Sequence, residues 1–100
     1  MDRIGCVYAL VDPRTKAIHY IGQTIQAVYR RYREHWVSYS PNDQVSAWFD
    51  NLRASNLEPE LRILEEGVQS SDLKGRERYW IAWALDQKEP LLNVLIYRPK

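Results

Sequence analysis

The chain has 100 residues, 45% of them apolar, 12% aromatic and 27% charged, which suits a single folded domain and excludes a disordered or collagen-like chain. Its formal net charge of +1 excludes a protein that holds nucleic acid by bulk charge alone, because long phosphate tracks require many cations. Cys6 is the only cysteine, which excludes an internal disulfide and a cysteine-based zinc cage and suits a reducing compartment.

Residues 5–11 and 17–22 read as two strands rich in apolar and aromatic side chains. Between them Asp12-Pro13-Arg14-Thr15-Lys16 carries a proline that presets a turn, so a hairpin is expected. Cys6 within the first strand is expected to pack as a small hydrophobe. After Gly22, Thr24 is a candidate cap for a helix over about residues 27–39. Its apolar stripe is Val28, Tyr32, Trp36 and Tyr39. A step of about 100° per residue sets Arg31 and His35 beside that stripe and turns Arg30, Arg33 and Glu34 away. Arg31 is therefore expected to face the sheet and Arg30 the solvent. Residues 1–40 carry six basic and three acidic side chains, against eight and ten in the remainder. The positive excess lies near the hairpin and first helix, where a phosphate would be steered.

Ser40-Pro41-Asn42-Asp43 breaks the chain and offers a cap, and Val45, Trp48, Phe49 and Leu52 mark a second helix ending near Ser55-Asn56. Residues 59–65, bounded by Pro59 and Gly67, alternate as a third strand. Ser71-Asp72 opens a third helix running to about Leu85, and residues 90–96 form an extended apolar tail containing Asn93. The order predicts one domain: a small α/β sandwich whose mostly antiparallel sheet of about three strands is flanked by helices.

The third helix carries an anomaly. Leu73, Glu77, Trp80, Ile81 and Ala84 recur at three-four spacing, so Glu77 sits in a stripe that should be buried. A buried carboxylate must neutralise, pair with a cation or bind a metal. Arg31 and Arg76 are the candidate structural partners, and metal ligation is the functional alternative. Tyr79 and Trp83 form a second aromatic pair off this stripe, and a helix apolar on two sides is either sandwiched within the fold or docked on a second copy or a protein partner.

These residues resemble the GIY-YIG nuclease family, named for two strand motifs. Cys6-Val7-Tyr8 stands as the first motif and Tyr20-Ile21-Gly22 as the second, with eleven residues between the tyrosines. The similarity continues through Arg31, His35, the glutamate in Glu77-Arg78-Tyr79-Trp80-Ile81, and Asn93. Two departures accompany it: Cys6 replaces the first motif's glycine, and Arg30 competes with Arg31 as the helix arginine.

The resemblance implies hydrolysis of a DNA phosphodiester with Mg2+ or Mn2+. Glu77 would be the metal ligand and Arg31 the phosphate clamp. Tyr8, with Tyr20 or His35, would orient or deprotonate the attacking water. Asn93 would position the tail or a phosphate oxygen, and Gly22 would admit close backbone approach, with Arg30 as a further phosphate contact. The alternative is a catalytically silent module of the same fold that binds nucleic acid or protein. No apolar run reaches the roughly 18 residues of a membrane span, and the start lacks a signal peptide's pattern, so no membrane partner and a cytoplasmic location are expected.

Overall fold

The computed structural model describes residues 3–25, 27–34, 36 and 41–93. Strands β1 (Ile4–Val11) and β2 (Ile18–Thr24) form the hairpin, followed by helices α1 (Val28–Arg33) and α2 (Asp43–Ala54), strand β3 (Glu60–Gln69) and helix α3 (Leu73–Asp86). The sheet order is β2-β1-β3, with both pairings antiparallel. The expected α/β sandwich and its element order are present.

β1 is the central strand, and its residues Val7 to Val11 are buried on both faces. Because successive side chains alternate, Val7, Ala9 and Val11 join Ile18, Ile21 and Val68 against Leu73, Ile81 and Ala84 of α3. Tyr8 and Leu10 point the other way, into Tyr32 of α1 and Val45, Trp48, Phe49 and Leu52 of α2. A single strand thus seeds two cores.

Element limits follow local chemistry. Asn42 caps α2, its side chain accepting from the Val45 amide at 3.0 Å, as the Ser40–Asp43 break predicts. β3 continues past its expected end at residue 65. Gly67, expected as a stop, lies inside the strand at φ 69°, where the β1–β3 register shifts between Gly5 and Val7. A glycine in that conformation accommodates a bulge without ending the strand. Of the helix expected over 27–39, His35 and residues 37–39 lie outside the described set, as do tail residues 94–96.

Buried Asp12 anchors the hairpin turn to α2. Its carboxylate accepts from Arg14 N at 2.8 Å, Arg14 Nη2 at 2.8 Å and Trp48 Nε1 at 3.0 Å. The outer edge of β2 is closed by the segment after α3. Ile18 N donates to Glu89 Oε1 at 3.0 Å and Leu92 N to His19 O at 2.6 Å. This occupies main-chain groups that an open edge strand would leave available for aggregation.

Candidate active site

The site builds outward from Tyr8. Its side chain is 1% exposed, and β1 pairs it directly opposite Gly22 of β2. A Cβ on Gly22 would meet Tyr8 Oη at 2.6 Å and Cζ at 2.8 Å, so the phenol rests on the bare backbone of the second motif. The Tyr20 ring lies alongside, its centroid 6.5 Å from that of Tyr8 and tilted 46° to it. The Arg31 guanidinium donates a hydrogen bond to the phenol.

Burial, then the neighbouring Tyr20, pushes the Tyr8 hydroxyl well above the usual phenol range. Arg31 opposes this through its charge and hydrogen bond, while Glu77 adds to it. Tyr20, Arg31 and, most weakly, Glu77 each act on the Tyr8 hydroxyl, whereas the charges that act on Glu77 itself are Lys74 and Arg78. The groups acting on Tyr8 arrive from different elements: Arg31 from α1, and Glu77 from α3 on the other face of the sheet.

Arg31 is half-buried and Arg30 exposed, as the helix-face reading expects. Arg31 Nη1 lies 3.4 Å from Glu34 Oε1. Its Nε is buried and has no hydrogen-bond partner among the described residues. An unsatisfied buried donor costs roughly 1–3 kcal/mol, a penalty that a phosphate oxygen would relieve.

Glu77 is half-buried between Leu73 and Ile81 of its own helix. Burial holds its carboxyl above the usual carboxylate range, with Lys74 and Arg78 pulling it back down. Neither structural partner expected from sequence engages it. Arg76 Nε instead bonds Glu65 Oε1 at 2.8 Å, an oxygen that also accepts from Trp80 Nε1 at 2.9 Å, and Arg31 pairs with Glu34. Lys74 and Arg78 were not singled out from sequence, although the position of Lys74 three residues before Glu77 makes it a neighbour on the helix surface.

Among the described residues, no group of three or more His, Cys, Asp or Glu side chains is placed to hold a metal ion. A resident metal cage is thus absent there. Glu77, a half-buried carboxylate without an ion-pair partner among the described residues, does fit a magnesium that keeps its waters and is completed by substrate phosphate.

Asn93 spends its amide on β2. Ile21 N donates to Asn93 Oδ1 at 2.9 Å, and Asn93 Nδ2 donates to Ile21 O at 2.7 Å. It thereby positions the tail one residue from Gly22. His35 lies outside the described residues. Cys6 is half-buried, with burial and then Glu66 raising its thiol pKa. A cleft of about 510 Å³ lined by Tyr32, Trp36, Glu58 and Leu61 includes none of Tyr8, Arg31 or Glu77.

Among the described residues, no helix is long and apolar enough to cross a membrane. No protein-family model, no curated protein and no solved structure matches this chain.

Proposed function

We propose that the chain is a GIY-YIG-type endonuclease that hydrolyses DNA phosphodiester bonds with Mg2+ or Mn2+. The observation that carries this reading is the gathering of Gly22, Tyr20 and Arg31 around the Tyr8 hydroxyl, with the charge of Glu77 also acting on it from α3. These come from both strand motifs and two separate helices, and each has a use in phosphoryl chemistry.

Arg31 binds the scissile phosphate. Its unsatisfied Nε and fixed charge suit both the ground-state oxygens and the negative charge that grows in the transition state. Tyr8 remains a neutral phenol near pH 7, because burial opposes its ionisation. It therefore orients the attacking water by hydrogen bonding instead of acting as a strong base, and Tyr20 packs beside it. Glu77 is the metal ligand; when bound, the cation would polarise a phosphate oxygen and offset its charge. Lys74 and Arg78 favour the ionised carboxylate that this role requires.

Incubation with supercoiled plasmid and Mg2+ tests the proposal. Nicked circles should form with wild-type protein, disappear with chelator, and fall by on the order of 100-fold or more with Arg31→Ala. Plasmid binding without metal-dependent nicking would overturn the enzyme and leave the silent binding module.

A further inference from the structure

The outer face of α3 holds a second feature unrelated to the Tyr8 site. Tyr79 is 51% exposed and Trp83 36% exposed, an unusual display for two large rings one turn apart. They belong to a fixed ladder. The Arg76 guanidinium lies 4.3 Å from the Tyr79 ring centroid, Tyr79 meets Trp80 edge-to-face at 5.4 Å, and Trp80 meets Trp83 in the same way at 5.4 Å. Glu65 holds this ladder from β3 by accepting from Arg76 Nε and Trp80 Nε1. The rings are thus ordered before any partner arrives, which lowers the entropy lost on docking.

The pattern along the helix identifies the occupant. At about 100° per residue, Arg76, Tyr79, Trp83 and Asp86 fall within an arc of roughly 80°. Arg76 and Asp86 stand five residues either side of Ile81, and Tyr79 and Trp83 stand two either side. A second α3 laid antiparallel across the first, with a twofold axis at the level of Ile81, therefore sets each Arg76 against the partner's Asp86. It also sets each Tyr79 against the partner's Trp83. Charge and shape are both self-complementary, as an isologous interface requires. Among the described residues, Asp86 forms no salt bridge within its own chain, and Arg76 meets Glu65 through Nε, a bond that does not use the guanidinium's two terminal amines.

We infer that α3 is a homodimerisation surface, in which a second copy of this chain packs antiparallel through Tyr79 and Trp83 with reciprocal Arg76–Asp86 pairs. Glu77 lies on the opposite side of the helix, so this association is separable from the proposed nuclease chemistry.

Sedimentation equilibrium over a micromolar to near-millimolar range tests it. Wild-type protein should show a concentration-dependent shift from monomer to dimer mass. Asp86→Arg should weaken association about tenfold or more, because it sets like charges against Arg76, and Trp83→Asp should abolish it, while circular dichroism of both variants stays that of the wild type. A mixture of Asp86→Arg protein with Arg76→Glu protein should recover a mixed dimer that neither forms alone. A monomer throughout the range overturns the inference, as does a dimer insensitive to Asp86→Arg. Failure of the mixed pair to associate overturns the antiparallel register. Loss of oligonucleotide binding on Trp83→Ala in a strictly monomeric protein would assign the ladder to nucleic acid and overturn it equally.

Discussion

Gly22 lies directly beneath the Tyr8 phenol, and an added methyl there would stand 2.6 Å from the oxygen and 2.8 Å from the ring carbon that bears it. Tyr8 is fully buried and has no space to retreat, so Gly22→Ala must move the ring. Overpacking of this kind costs typically about 1–3 kcal/mol, and displacing a reacting group by an ångström costs on the order of 100-fold in rate. Gly22→Ala should therefore lower the melting temperature and nearly eliminate nicking. Adding Tyr8→Phe should not restore stability fully, because the ring carbon still collides; full recovery in a thermal melt would show that only the hydroxyl was crowded.

Glu77 should trade stability for function. Its carboxyl is held above the usual range by burial, so in the window between the ordinary carboxylate pKa and that raised value the folded protein binds more protons than the unfolded chain. Stability then falls as pH rises through the window and stays lower above it. Glu77→Gln removes the ionisable group and keeps its shape. The variant should lose nicking yet melt higher than wild type at neutral pH, by a few degrees at most, with the difference shrinking below about pH 4. A variant that melts lower at pH 7 would mean that the ionised carboxylate stabilises the fold.

Asp12 should behave in the opposite sense. The Arg14 hydrogen bonds, followed by Trp48, hold its carboxyl well below the ordinary range despite burial. The stability this confers is fully present above the unfolded pKa, near 4, and is lost as pH falls toward the folded value. Asp12→Asn should cost roughly 1–3 kcal/mol at pH 7, and the two unfolding curves should converge in acid. Parallel curves down to low pH would assign the loss to geometry instead of charge.

The element order was legible because punctuation residues act locally. Pro13 sets the hairpin turn and Asn42 caps α2 through its own side chain. Arg31's half-buried setting also followed from helical periodicity. What sequence could not supply was register. Counting outward from the Val11–Ile18 pair sets Tyr8 opposite Ile21, but the shift between Leu10 and Val11 leaves His19 without an opposite and moves Gly22 under Tyr8. Gly67 misled for a related reason, since a bulge glycine and a terminating glycine look alike until the partner strand is known. Glu77's burial was readable, but Arg76's choice of Glu65 over Glu77 depends on β3 lying beside α3.

Asn93 separates holding the fold from doing chemistry. Both ends of its amide are engaged by the Ile21 main chain, at 2.9 and 2.7 Å, next to the glycine that supports Tyr8. Asn93→Ala leaves a β2 amide and carbonyl without these partners, a loss of about 1–3 kcal/mol that should appear as a lower melting temperature. Nicking assayed well below that temperature should stay within about threefold of wild type, because the amide's oxygen and one of its two N–H groups already hold the β2 main chain. Asn93→Asp should be worse in stability, since its carboxylate can accept from Ile21 N but repels Ile21 O. A rate loss of 100-fold in a fully folded Asn93→Ala protein would instead put the amide among the groups that touch the substrate.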